Sequence, residues 1–112
     1  MGVKTVSSPF GGGTRTRVLV ALGLLGSSFP RELSRLLPAP VSAVSRALYG
    51  LERDALVSGR LVGRTRVFTL NPAYFAAREL QVYLRRLAEG DAELLACVES
   101  LRRRPRRSGK AL

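Results

Sequence analysis

The stretch from Pro38 to Leu70 decides the fold: PAPVSAVSRALYGLERDALVSGRLVGRTRVFTL. Each proline fixes its own φ and moves the preceding residue out of helical space, so Pro38-Ala39-Pro40 predicts a stiff turn. After this turn, apolar residues recur at intervals of three, four, three and four. They are Val41, Val44, Leu48, Leu51 and Ala55. This spacing predicts a helix from Val41 to about Ala55 with one apolar face.

The hydrophobic period changes after that helix. Residues 56–62 and 65–70 are rich in β-branched and aromatic side chains, and Gly63-Arg64 between them has the length of a tight hairpin turn. Phe68 and Leu70 are expected on the strand face that covers the helices. We expect three arginines to cluster along the strands and near the turn, which would make the end of the hairpin basic. They are Arg60, Arg64 and Arg66.

Two helices are predicted before the turn. The first begins at Thr14 and ends at Gly26, with one inward face of Val18, Leu22 and Leu25. The second starts near Ser28 and Phe29, with Pro30 in its first turn, and stops at Pro38. Its inward residues are Leu33, Leu36 and Leu37. Residues 1–13 end in three glycines without periodicity and are predicted to be a flexible leader.

Two further helices are predicted after the hairpin. Asn71-Pro72 has the pattern of a helix cap followed by proline at the first helical position, and Asp91 is placed to cap the last helix, 92–104. Their apolar faces are expected to consist of Ala76, Leu80, Tyr83, Leu84 and Leu87 in one helix, and of Leu94, Leu95, Val98 and Leu101 in the other. Because this is more apolar surface than a small domain needs, residues 73–104 are predicted to dimerise. Residues 105–112 form a basic tail.

The predicted fold class is therefore mainly α with a small β-hairpin. The order of helix, helix, short turn, helix and hairpin is that of a winged helix-turn-helix, here residues 14–72, followed by two C-terminal helices. In such a domain the third helix enters the major groove of double-stranded DNA. Ser42, Ala43 and Ser45 are small enough for close approach to bases or phosphates, and Arg46 can reach a guanine or the backbone. The hairpin arginines would reach the adjacent minor groove or its phosphates.

The sequence resembles the ArsR/MarR type of bacterial winged-helix transcription regulator over residues 15–72. The segments that carry the resemblance are Val18–Leu22, Arg31–Leu37, Val44–Leu48, Leu51–Val57 and Gly63–Asn71. The chain is also similar, more loosely, to short winged-helix proteins that accompany nucleotidyltransferases.

The resemblance implies a homodimeric, sequence-specific DNA-binding regulator, usually a repressor. It implies contacts from the recognition helix at Ser42, Ala43, Ser45 and Arg46, and contacts from the wing at Arg64 and Arg66. Metal-sensing members of the family use clusters of Cys or His, whereas this chain has no His and a single Cys97. The resemblance therefore does not extend to metal sensing, and no cofactor is expected.

Charge and composition narrow the function classes. The formal net charge is +11, of which residues 102–112 contribute six basic and no acidic residues, so both the domain and the tail favour a polyanionic partner. Without histidine, no nucleophile, base and orienting group form an identifiable catalytic motif, and an enzyme is not expected. The longest apolar run, Val18–Leu25, is far shorter than a membrane span, and the N-terminus lacks the pattern of a secretory signal. We therefore expect a cytoplasmic protein without a membrane partner.

The sequence is also compatible with other functions and with other roles for these residues. The chain could bind DNA or RNA without sequence preference as an architectural protein, or it could serve as a protein-interaction module that partners a nucleotidyltransferase. Arg64 and Arg66 could merely solubilise the hairpin. Cys97 is expected to be a small buried hydrophobe. Three aromatic residues could line an effector pocket, although core packing or a dimer contact is the commoner role; they are Tyr74, Phe75 and Tyr83.

Overall fold

The computed structural model describes residues 9–103. This part of the chain forms five helices and three short strands. In chain order they are α1 (Gly13–Leu25), β1 (Ser27–Ser28), α2 (Pro30–Leu36), α3 (Val41–Arg53), β2 (Val57–Val62), β3 (Thr65–Leu70), α4 (Ala77–Ala88) and α5 (Ala92–Arg103). The protein is thus mostly helical with a small sheet. Most of the predicted leader and the whole basic tail, 105–112, lie outside the described residues.

The sheet contains the predicted hairpin and one strand that the sequence did not reveal. Its order is β1-β3-β2, and both neighbouring pairs are antiparallel. In the hairpin Val62 pairs with Thr65, which confirms a two-residue turn at Gly63-Arg64, and Gly63 has the positive φ of +66° that such a turn requires. The additional strand, β1, places Ser28 opposite Phe68. The connection between α1 and α2 is therefore tied to the hairpin.

Helix α1 runs through the centre of the protein. Five consecutive residues, Val18–Leu22, are each at most 1% exposed, so the prediction of a single inward face was wrong. The reason is that α1 packs against α3, α4, α5 and the sheet at once. A helix that has apolar residues on several sides is covered on several sides. Helix α1 begins at Gly13, and Phe10 before it packs against Tyr83 of α4.

Helices α2 and α3 flank the predicted turn. The leucines that were expected to face inward from the second predicted helix are all buried; they are Leu33, Leu36 and Leu37. On α3 the inward face is confirmed for Val44, Leu48 and Leu51 but is wrong at both ends.

The outer limits of that face differ for two reasons. Val41 is 43% exposed because it lies in the first turn of α3, beyond the residues that cover the core. Ala55 is exposed and lies outside the helix, with a left-handed φ of +65°. Helix α3 has already ended at Arg53, and the chain turns at Ala55 to enter β2.

The chain after the hairpin does not enter a helix directly. The prediction that Asn71-Pro72 opens a helix was wrong, because α4 begins only at Ala77. The Asn71 side chain makes a local turn instead: its Oδ1 accepts from the Ala73 amide at 3.0 Å. Its Nδ2 donates to the Ala55 carbonyl at 3.0 Å. Asn71 thereby fastens the end of β3 to the turn after α3.

Helix α5 starts as predicted. Asp91 Oδ1 accepts from the Leu94 amide at 3.1 Å, which satisfies one of the free amides of the first turn. The other carboxylate oxygen, Oδ2, lies 3.3 Å from Arg17 Nε, so the cap also joins α5 to α1. Asp91 is only 5% exposed. Cys97, expected to be buried, is exposed on α5, since the inward positions of this helix are Leu94 and Val98.

Within residues 9–103 no helix combines the length and apolar character that crossing a bilayer requires.

Candidate nucleic-acid interface

The outward side of α3 carries a row of polar and aromatic side chains. Ser42, Arg46, Tyr49 and Arg53 follow one another at intervals of four, three and four, so they lie along one side of the helix. All four are exposed, and Tyr49 is 55% exposed. The opposite side of α3 is in the core. We call these four residues the α3 surface.

The predicted contact residues of α3 fall into two pairs. Ser42 and Arg46 belong to the α3 surface, whereas Ala43 and Ser45 are half-buried and lie at its flank. Tyr49 and Arg53 were missed by the sequence prediction, which stopped at Arg46. The continued spacing of three and four residues was the signal that could have found them.

The three hairpin arginines do not form the expected cluster. Arg60 pairs with Val67, and Arg66 pairs with Leu61. Because neighbouring residues of a strand point to opposite faces, this register puts Arg60 and Arg66 on opposite sides of the hairpin. Arg60 and Arg64 are exposed, while Arg66 is half-buried.

Arg66 is committed to a contact with α3. Its Nη2 lies 3.1 and 2.8 Å from the two carboxylate oxygens of Glu52, and its guanidinium carbon lies 5.3 Å from the centre of the Phe68 ring. The Phe68 ring in turn contacts Tyr49, with 6.4 Å between ring centres. Arg66 therefore fastens the hairpin to α3 through Glu52. The Arg66 Nε is buried and has no hydrogen-bond partner among the described residues.

Gly59 makes room for this arrangement. A Cβ atom at Gly59 would lie 2.7 Å from Arg66 Nη2 and 2.8 Å from a carbon of the Phe68 ring. Both distances are shorter than real contacts allow, so any other residue at this position would displace the guanidinium or the ring. The close approach of Arg66 to Phe68 explains why glycine occurs inside a strand.

The charges around α3 do not cancel. The two acidic residues at its C-terminal end are both paired, Glu52 with Arg66 and Asp54 with Arg15 at 2.7 Å. Within residues 9–103, by contrast, four exposed arginines of α3 and the hairpin make no ion pair; they are Arg46, Arg53, Arg60 and Arg64. The surface formed by α3 and the hairpin thus carries a surplus of positive charge.

The described residues contain no group of three or more His, Cys, Asp or Glu side chains that could hold a metal ion. Comparison of the chain with protein-family models, with curated proteins and with solved structures gave no match.

Proposed function

We propose that residues 14–72 form a winged helix-turn-helix and that the protein is a sequence-specific, double-stranded-DNA-binding transcriptional regulator. In this proposal α3 enters the major groove and the hairpin is the wing. The observation that carries it is the α3 surface, on a helix whose other side is in the core. This exposed helical row contains two arginines that make no ion pair within residues 9–103.

The size and charge of this surface suit duplex DNA. The major groove is wide enough to admit one α-helix, and arginine is the side chain that most often recognises guanine there. Arg46 follows Ser42 by one turn and can reach a base edge, while Arg53, two turns further along, is placed for a phosphate. Tyr49 lies between them and offers its ring edge or hydroxyl to the groove wall.

The hairpin supplies a second set of contacts. Arg60 and Arg64 are unpaired within the described chain and exposed, and we propose that they reach the neighbouring minor groove or its phosphates. Arg66 has a different role in this proposal. Its bond to Glu52 fixes the hairpin relative to α3, so that both elements can meet one duplex.

Substitution of Arg46 tests the recognition role of α3. A pool of random duplexes would first be selected for bound sequences, and a site found in this way would be footprinted at moderate salt. We expect Arg46→Ala to lower the affinity for that site about tenfold and to relax the preference at one base position, because a base contact is lost. The matched control is Arg86→Ala, which removes an exposed arginine of α4 paired with Glu89.

The hairpin variants have a different expected signature. Arg60→Ala and Arg64→Ala should weaken binding equally across sequences and reduce the salt dependence by roughly one ion each, since phosphate contacts carry no sequence information. Absence of any protected site at moderate salt would contradict the proposal. So would an equal loss of affinity in the Arg86→Ala control.

Non-specific nucleic-acid binding is the second candidate, and the net charge of +11 favours it. Charge alone supplies affinity for any duplex or RNA. Competition separates the two functions. If unrelated duplexes or RNA displace the selected DNA as well as that DNA displaces itself, the architectural function replaces the regulatory one.

A homodimer completes the proposal. Apolar side chains on the outer side of the C-terminal region are exposed, among them Phe75 at 91%, Val82 at 62% and Leu95 at 38%. We propose that they pack against a second copy, which would set two α3 helices at half-sites about 34–36 Å apart. The solution mass of the protein tests this, and a monomer bound to a single half-site would contradict it.

A further inference from the structure

We propose that a groove beside the start of α4 binds an apolar organic cation, specifically a quaternary ammonium group attached to a hydrophobic body. The walls of this aromatic groove are Phe10, Tyr74, Leu80 and Tyr83, and Glu79 contributes its charge. The cavity volume is about 360 Å³, within the range of roughly 300–1,000 Å³ typical of small-molecule sites. This binding site goes beyond the proposed DNA-binding function and does not depend on it.

Three aromatic rings give the groove its affinity for a cation. The Phe10 and Tyr83 rings meet edge to face, with 5.9 Å between their centres and 63° between their planes. Tyr74 adds the third ring. An aromatic face carries negative charge density and attracts a cation placed over it, most strongly when the cation has lost its water. A groove walled by several such rings is the usual recognition element for alkylated ammonium groups.

The charge of Glu79 favours a ligand of positive charge. It is the one charged residue among those of the described chain that line the groove. It lies in the first turn of α4, is exposed, and makes no ion pair with any residue from 9 to 103. An anionic ligand would be repelled by this carboxylate and would find no cationic side chain among the described residues of the walls. A quaternary ammonium ion, which has no hydrogen to donate, suits walls that are otherwise apolar.

The net charge of the chain opposes the binding of a cation at long range. With a net charge of +11, the protein as a whole repels cations at long range and attracts anions. Binding of a cation must therefore come from short-range contacts within the groove. Because salt screens distant charges more than contacting ones, added salt should raise the affinity for the cation while it weakens any binding to DNA.

Hydrogen bonds join both sides of the groove to the end of α3. On one side, Arg15 donates from Nε to the Phe10 carbonyl at 2.7 Å and from Nη2 to Asp54 at 2.7 Å. On the other side, the Asn71 carbonyl accepts from the Tyr74 amide at 3.1 Å. The backbone N–H of Asn71 also donates to the Leu56 carbonyl, at 3.0 Å.

The two connections meet within residues 54–56, directly after α3. A ligand that moves the Phe10 or Tyr74 ring therefore acts on the segment between α3 and the hairpin. We infer that occupancy of the groove alters the position of α3 relative to the hairpin. Its effect on DNA rests on the proposed function, whereas the structural effect does not.

Calorimetry on the full chain tests the site. Benzyltrimethylammonium is the probe, and neopentylbenzene, in which carbon replaces the charged nitrogen, is its neutral counterpart of the same shape. We expect the cation to bind at least about tenfold more tightly than the neutral compound. Glu79→Gln should weaken cation binding about fivefold. The matched control is Glu93→Gln, an exposed acid in the first turn of α5, which should leave it unchanged.

Two results would overturn the site. Equal affinities for the cation and the neutral compound would show a merely hydrophobic groove. Equal losses in Glu79→Gln and Glu93→Gln would show a general charge effect.

The same titrations followed by tyrosine fluorescence locate the ligand, because the chain has no Trp and two of its three tyrosines line the groove. Tyr49→Phe should leave the fluorescence change intact.

A second measurement separates this inference from the proposed function. Amide NMR signals of Asp54, Leu56 and Asn71 should shift when the cation saturates the groove, in the absence of any DNA. If the cation binds and these signals do not move, the connection to α3 is wrong and the site stands. If the cation binds but no DNA sequence is selected, the proposed function fails and the site again stands. If DNA is selected and the cation does not bind, the site fails alone.

Discussion

Helices α1 and α3 have the same length of thirteen residues and pack against each other, yet they have opposite surroundings. Helix α1 is covered on several sides by α3, α4, α5 and the sheet, and its arginines pair with Asp54 and Asp91. Helix α3 is covered on one side only, and both of its arginines, Arg46 and Arg53, pair with no residue of the described chain. Helix α1 ends at Leu25 and α3 ends at Arg53. A residue with positive φ follows each helix, Gly26 after α1 and Ala55 after α3.

This difference separates the residues that hold the fold from those available to a partner. On α1 nearly every position has a packing or pairing role, so substitutions there should change stability. On α3 the exposed Ser42, Arg46 and Arg53 have no such role among residues 9–103, so substitutions there should change binding and leave stability intact. Three pairs of variants test that division. Two pairs make the same chemical change on both helices, and the third makes opposite changes at the residues that follow them.

The largest effect is expected from shortening a valine. Val20→Ala on α1 should lower the free energy of unfolding by about 2 kcal/mol, because the side chain is 1% exposed and its removal leaves a cavity. Val41→Ala on α3 removes the same atoms at a position that is 43% exposed, and should change stability by less than about 0.5 kcal/mol. Urea unfolding measures both. Equal losses would mean that the two helices are covered alike.

A smaller effect is expected from removing an arginine charge. Arg17→Met keeps the apolar stem but leaves the buried Asp91 carboxylate without its cation, and should cost about 1.5 kcal/mol. Arg46→Met on α3 should leave the urea midpoint unchanged and lower the affinity for the selected DNA. The division between the helices would be wrong if Arg46→Met unfolded the protein as readily as Arg17→Met.

The smallest effect is expected at the helix ends and differs in sign. Gly26 has a φ of +90° with open space around it, so Gly26→Ala should cost about 1 kcal/mol from backbone strain alone. Ala55 has a φ of +65°, a region that glycine occupies without strain, and Ala55→Gly should stabilise the protein by up to about 1 kcal/mol. Thermal midpoints measured side by side would reveal the opposite shifts, and shifts of the same sign would contradict this account.

The elements that could be predicted from the sequence are those with a local cause. The helical spacing of Val44, Leu48 and Leu51 predicts α3, and the two-residue turn at Gly63-Arg64 predicts the hairpin. The cap at Asp91 was also local. Each of these features depends on residues within a few positions of one another, so the local sequence pattern is sufficient to predict it.

The features that could not be predicted depend on distant residues. Strand β1 has only two serines and no hydrophobic pattern, and it forms because Phe68 and Thr69 offer a free edge 40 residues later. Asn71 was interpreted as a helix cap because its neighbour is proline, whereas the Ala55 carbonyl recruits its side chain. Likewise Arg66 was expected to face a phosphate, and its partner Glu52 becomes visible only once the hairpin packs on α3.

Cys97 has a practical consequence that follows from its position. It is the single thiol of the chain and is exposed on α5, so in an oxidising buffer two chains can be joined through it by a disulfide. Such a covalent pair would have twice the mass without any packing between the exposed apolar side chains of the two C-terminal regions, and Cys97→Ser or a reductant distinguishes it from the proposed dimer. The same thiol offers one attachment point for a maleimide dye, on a helix that packs against α1, α2 and α4.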